Sequence, residues 1–322
     1  MPAGCVIGVD LGGTKLLAGV VGRDLAVHHR ATRRSRASDT EALIEQLVAS
    51  IVEVRDAAES ELLAVGVGVP ALMDLQRGVA GFCVHLPLSG VPVRDLLAER
   101  LGVPVFVAND ATLAMLVEHR FGACRDVADA VLLTLGTGIG GGIVANGSLV
   151  HGAVGSAGEP GHMVVDLDGP PCACGGTGCL ETLASGSALG REGARVARAA
   201  TESALGAALA GGREITGALV TELAHDGDRA ARDVVALIGM RLGVGIAGLV
   251  NLLNPSVVVV GGGMIAAGDL LLDPARSVVR ERALAPSRDV VSVVPAHFGE
   301  ESGMLGAALF ALDGLGASAA AA

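Results

Sequence analysis

Between Glu159 and Cys179 the chain reads EPGHMVVDLDGPPCACGGTGC, with Cys172, Cys174 and Cys179 inside eight positions and His162 ten residues before the first of them. Only six cysteines occur in 322 residues, so half of the thiols share one glycine-rich loop. Zinc takes four soft or borderline ligands in a tetrahedron, and three thiolates with one imidazole fill every position and leave none open for substrate. His162, Cys172, Cys174 and Cys179 are therefore expected to hold a structural Zn²⁺. Glu159 and Glu181 flank this loop. A closed metal knot would fix both carboxylates and the His162 ring in space, which is how a polar pocket is preorganised. Cys5, Cys83 and Cys124 are scattered and read as core residues.

A second chemistry is suggested by three glycine turns, DLGGTK (10–15), LGTGIGGG (135–142) and VVGGG (259–263), each of which follows a β-rich run. Glycine lets backbone N–H groups approach an anion and take up positive φ, the two requirements of a phosphate cradle. No Walker loop is present, since GxxxxGK[ST] has no match. Gly136, Gly138 and Gly141 satisfy GxGxxG, but GGIVANGSLVHG around and after them reads as strand and loop rather than an opening helix, which argues against a Rossmann site. Asp10 stands at the end of its strand beside the presumed phosphates, where a carboxylate can hold Mg²⁺ through water. Asn109–Asp110 falls where a strand gives way to a helix. Asn109 alone can serve as the N-cap, which leaves Asp110 as a base for a substrate hydroxyl.

The elements that must position these residues follow from hydrophobic period. Residues 5–21 are two β runs joined by a glycine turn, and LLAVGVGVP (62–70) and VPVFVAND (103–110) are further strands. DTEALIEQLVASIVEV places Leu43, Leu47, Ile51 and Val54 on one helical face, with Ser38 and Glu41 at capping-box spacing. Helices are expected over 93–102, closing on Gly102, over 111–122 and over 232–255, stopped by Pro255. VLLTLGTGIGGGIVANG (131–147) repeats the opening theme, with Leu135 on Leu11 and Gly136 on Gly12. Two such starts roughly 120 residues apart point to a duplicated α/β domain with a cleft between the copies.

Composition restricts the functional classes. Apolar residues make up 51% and charged residues 18%, as in a well-buried globular protein. A net charge of −11 opposes nucleic-acid binding, which needs a basic face. The one basic cluster, Arg30 to Arg36, reads as a solvated edge. The uncharged stretch 130–158 is broken by glycines and polar residues, so no membrane span is expected there, and no signal peptide is visible. A cytoplasmic location is expected, where thiols stay reduced and a cysteine cluster favours metal over disulfide.

The motifs DLGGTK, NDA, TLGTGIGGG, GSAGEPGH and CACGGTGCLETLASG occur in this order, and ESGMLGAALFAL follows near residue 312. Together they resemble the ROK (repressor, open reading frame, kinase) family over nearly the whole chain, with the ATP-dependent bacterial glucokinases as the nearest branch. The resemblance implies an actin-like, hexokinase-type (ribonuclease H-like) duplicated two-domain fold. The small domain would comprise 1–115 joined by a helix at about 300–313. The large one would be 116–299 with the zinc loop 162–179, and 314–322 would be a frayed tail. It further implies ATP-dependent, Mg²⁺-assisted phosphorylation of glucose to glucose 6-phosphate with Asp110 as general base. Asn109, Glu159, His162 and Glu181 would bind the sugar, with His162 also a zinc ligand. Gly12, Gly13, Thr14, Gly136, Thr137 and Gly138 would meet the phosphates, and Gly261, Gly262 and Gly263 the adenosine. A homodimer or homotetramer is implied as well.

Departures from the family pattern collect near the acceptor side. VPALMD (69–74) replaces a frequent Pro-Gly pair, VHLPLSGVP (84–92) has His85 where Asn is common, and Pro160 replaces an aliphatic residue. N-acetylglucosamine, N-acetylmannosamine, mannose and fructose are therefore alternative acceptors, and polyphosphate is an alternative donor that the VVGGG turn disfavours. A sugar-responsive repressor is the alternative of another class. Such proteins place a helix-turn-helix before the first glycine turn, whereas nine residues precede Asp10 here.

Overall fold

The computed structural model describes residues 4–321 apart from Arg23, Arg36, Glu59 and His85. Two compact units divide the chain. One comprises the segment up to Gly122, Leu149–Gly158 and the segment from Glu301, and the other comprises Ala123–Ser148 and Glu159–Glu300. The sequence reading placed the first boundary after 115 and did not foresee the 149–158 excursion.

The first unit opens with an antiparallel meander, β1 (Cys5–Leu11), β2 (Leu16–Val21) and β3 (Val27–Arg33). Helix α1 (Thr40–Ala57) follows, and β4 (Leu62–Val69) then pairs in parallel with β1. A small hairpin, β5 (Leu72–Asp74) with β6 (Val79–Phe82), precedes α2 (Val93–Leu101), β7 (Val105–Asn109) and α3 (Asp110–Phe121). The strand order is β3-β2-β1-β4-β7. Strand residues alternate between the two faces. Ile7, Val9, Val65 and Val67 therefore pack with Leu43, Leu47, Ile51 and Val54 of α1, while Gly8 and Gly66 lie on the other face. The N-cap of α1 is Asp39, whose Oδ1 accepts from Ala42 N at 2.9 Å. Ser38 donates to the Asp39 carboxylate instead of capping, so the cap falls one residue later than expected and, with Ala at 42, makes no box.

The second unit restates the plan. β8 (Ala130–Leu135), β9 (Ile139–Ala145) and β10 (Ser148–Leu149) open it, and β11 (Val257–Gly261) and β12 (Ser292–Pro295) complete the order β10-β9-β8-β11-β12. Leu11 and Leu135 each end the first strand, so the overlay of the two glycine turns holds in register. The helices are α4 (Leu180–Ala184), α5 (Gly186–Ala199), α6 (Ala204–Ala210), α7 (Gly217–His225), α8 (Arg229–Leu253), α9 (Asp269–Arg282) and α10 (Ser287–Val290). α8 ends on Asn254 in the left-handed region, one residue before Pro255. It is long and apolar enough to cross a bilayer. Ile238, Leu242, Ile246 and Val250 instead bury it in the core of this unit.

The chain then returns to the first unit as α11 (Ser302–Ala321), a single helix through the segment expected to fray from 314. It lies on the glycine face of the sheet. A Cβ at Gly8 would overlap Met304 O, one at Gly66 would overlap Ala307 O, and one at Gly306 would overlap Leu113 O of α3. Helix and strand backbones thus meet where no side chain intervenes.

Candidate active site

In the first unit, Asp10 is the penultimate residue of β1 and Asp110 the first of α3. Asn109 caps α3 as expected, its Oδ1 accepting from Thr112 N at 3.0 Å. Its Nδ2 donates to Ala71 O at 3.4 Å, inside the divergent VPALMD segment. An amide retains a further donor and lone pair beyond these bonds, so a ligand contact is still open to it. Asp110 Oδ1 accepts from Ala111 N at 2.8 Å. Burial pushes Asp110 up to about 6 against the lowering effect of the Ala111 and Asp110 amides. Burial likewise pushes Asp10 up to about 7, with the Asp110 charge adding to the rise and Lys15 opposing it. Gly303, at the start of α11, lies against Asp10; a Cβ there would stand 2.6 Å from Asp10 Cγ.

The DLGGTK turn is closed by Gly12 N donating to Lys15 O at 2.8 Å. Ser35, only 2% exposed, holds it from outside. Its Oγ donates to Gly12 O at 2.6 Å and its N to Thr14 O at 3.2 Å. Gly13 and Thr14 face solvent. The basic cluster is therefore only partly a solvated edge. Arg30 and Arg33 are exposed on β3, with Glu301 and Glu53 as partners, whereas Ser35 faces inward and Arg36 lies outside the described residues. His85, named for its place near the acceptor side, also lies outside them.

In the second unit each carbonyl of the turn after β8 is tied inward. Gly136 O accepts from Gly186 N, Thr137 O from Ser187 Oγ and Gly138 O from Gly136 N, at 2.8, 2.8 and 2.9 Å. A turn whose acceptors are all engaged in this way presents donors to an anion. Gly262 takes φ 81° and seats against the Leu135 backbone, which brings the VVGGG turn beside the LGTG turn. Positive φ is absent from Gly12, Gly13, Gly136 and Gly138, contrary to the expected reason for those glycines. Gly138 leaves room for the Glu181 carboxylate, whose Oε2 a Cβ there would overlap.

Glu159 precedes the short 3₁₀ turn Pro160–His162. That turn rests on β9: Pro160 packs over Gly141, and a Cβ at Gly161 would overlap Ile139 O. His162, Cys172, Cys174 and Cys179 each offer a ligand atom, all within 4.8 Å of one another. Cys174 Sγ and Cys179 Sγ are 3.8 Å apart, and His162 Nδ1 and Cys172 Sγ 3.7 Å. Zn–S bonds of about 2.3 Å and Zn–N of about 2.1 Å set tetrahedral edges of about 3.8 Å and about 3.6 Å. The geometry fits the metal. Burial pushes the Cys179 thiol up to about 12, with Cys174 and Cys172 adding to the rise. Ionising all three thiols requires a cation among them. Glu181 follows in α4, its Oε2 accepting from Ile139 N at 2.9 Å.

The sequence reading missed Ser35, Gly186, Ser187 and Gly303, the residues that brace the turns from distant segments. Only ASG and ESGM, inside motifs quoted for other reasons, marked two of them, Gly186 and Gly303.

Two α/β units, each with a hairpin-led sheet and a glycine turn after its first strand, define a protein of the actin-like, hexokinase-type fold. Residues 6–314 match the ROK family, and the chain belongs to it. It is 37% identical to a glucokinase of Thermotoga maritima, covering 98% of this chain and 100% of that one. It is 35% identical to a glucokinase of Streptomyces coelicolor, covering 95% and 96%. The solved ROK glucokinase of Streptomyces griseus, in complex with glucose and AMPPNP, superposes with a TM-score of 0.89 at 35% identity, covering 96% of this chain and all of that one.

Proposed function

We propose that this chain transfers the γ-phosphoryl group of ATP to a hydroxyl of glucose, giving ADP and glucose 6-phosphate. The observation that carries the reading is Asp110. It is a carboxylate held at the first turn of α3 with its own cap supplied by Asn109, and burial raises it to about 6. A general base works best when its pKa lies near the working pH. Asp110 takes the proton of the sugar hydroxyl as the new O–P bond forms and the bond from the γ-phosphorus to the bridging oxygen breaks. ADP leaves with that bonding pair, and the proton ends on the carboxyl.

Phosphoryl transfer is mostly positioning and charge stabilisation. The turns at Gly12–Thr14 and Gly136–Gly138 receive the phosphates through amides other than those of Gly12 and Gly136, which close the turns, and Gly261–Gly263 receive the adenosine. Asp10 fits the Mg²⁺ that accompanies ATP, because a raised carboxyl beside a second acid favours a cation. That ion supplies charge neutralisation on the phosphates when bound. Glu159, His162, Glu181 and Asn109 hold sugar hydroxyls, and the His162 ring has one nitrogen for the zinc and one for the sugar.

The test is ADP release from MgATP with glucose, mannose, fructose, N-acetylglucosamine and N-acetylmannosamine. Turnover with glucose above all others is expected. Turnover only with an N-acetylated sugar would overturn the acceptor and trace it to the segments at 69–74 and 84–92. No turnover with any would overturn the kinase reading.

A further inference from the structure

Glu181 lies two residues after a metal-type ligand and makes a bond that a purely sugar-binding carboxylate has no need of. Its Oε2 accepts from the amide of Ile139, the residue that follows the Gly136–Gly138 turn. Its Oε1 lies 3.9 Å from Cys172 Sγ. The carboxylate sits so close to the turn that a Cβ at 138 would displace it. The same short helix is anchored to the cysteine loop, with Leu180 N donating to Met163 O and Cys179 bridging to Val164.

We propose that Glu181 is a positioning residue for nucleotide, linking the Cys₃His loop to the phosphate turn, so that the order of that loop sets ATP affinity even with no sugar present. The inference rests on the kinase reading above and adds a dependence that reading does not require. The other braces of the turn, Gly186 N and Ser187 Oγ, hold its carbonyls. Glu181 is the brace on the amide side. Without it the Ile139 N–H loses its carboxylate acceptor, a charge-assisted bond stronger than a neutral one, and the turn can rotate its donors away from a phosphate.

The experiment measures binding of Mg-AMPPNP without sugar, by calorimetry, on the zinc-loaded protein. Glu181→Ala should weaken binding about tenfold. Glu181→Gln keeps an acceptor oxygen and should restore it to within about threefold. Gly138→Ala, which pushes the carboxylate off Ile139 with its charge intact, should weaken binding as Glu181→Ala does. Hydrogen exchange gives a readout that survives partial loss of stability. Glu181→Ala and metal chelation should each speed exchange in the peptide spanning 136–142 while leaving β1 and β4 of the first unit unchanged. Unaltered AMPPNP affinity in folded Glu181→Ala overturns the proposal, whatever happens to glucose binding. Uniformly faster exchange across both units does so too, by showing a general structural role. Wild-type protein that binds no AMPPNP would instead overturn the nucleotide reading, and this inference with it.

Discussion

Asp10, near the end of β1, carries a carboxyl that burial raises to about 7, and the carboxylate of Asp110, at the start of α3, adds to that rise. Their positions are set by unrelated local causes. Asp10 is carried by a buried central strand and covered by Gly303, whereas Asp110 is held at a helix start by a cap one residue earlier.

A pH dependence follows. With Asp110 as the proposed base, log kcat/KM for glucose should fall with unit slope on the acid side. The break should come near the about 6 of Asp110. In Asp10→Asn it should stay there, because Asp10, raised to about 7, is largely protonated and uncharged where Asp110 titrates. A break that moves in this variant would show that a charge on Asp10 bears on Asp110.

Asp110→Asn keeps the shape of the side chain and removes the proposed base. Turnover should drop at least about 10²-fold, with glucose affinity by calorimetry within a few-fold of wild type. Turnover near the wild-type rate would remove Asp110 from its role.

Gly66→Ala tests the seat of α11. The added methyl meets the backbone carbonyl of Ala307, which cannot swing aside as a side chain could. Overpacking of this kind costs about 1–3 kcal/mol. The midpoint of urea unfolding should fall accordingly, whereas Gly248→Ala, which meets open space inside α8, should raise stability by about 0.5–1 kcal/mol. Equal effects at the two sites would contradict the packing argument.

Metal analysis should find about one zinc per chain, and prolonged chelation should lower the melting temperature and abolish turnover. Cys179→Ser should lose the metal during purification. Active protein free of zinc would refute the assignment of His162, Cys172, Cys174 and Cys179.

Strand–turn–strand starts were legible because apolar runs and glycines are local signals. So was the Asn109 cap, and the cysteine spacing announced the gathering of His162, Cys172, Cys174 and Cys179 into one cluster that could hold a metal. What escaped the sequence depends on long-range packing. Nothing local distinguishes Ser35 from the arginines around it, yet it alone turns inward to hold Gly12 O. Gly138 and Gly262 look alike in sequence but serve differently, one for a carboxylate 43 residues away and one for its φ of 81°. The expected frayed tail was read from small residues, and such residues are also what allow a helix to lie close over strands.

Helix α11 gives this protein an order of assembly. Residues up to Gly122 are synthesised first, yet Gly8 and Gly66 have no helix to lie against until the segment from Glu301 has been made. At about 5–20 residues per second this interval is on the order of 10–40 s. The second unit has all its strands before then and can close first. The earliest-made strands must wait, with one glycine-lined face open, for the last-made helix. Ribosomes that stop short of residue 301 therefore release a chain with every segment of the second unit but its last residues, and a first unit that lacks its final helix.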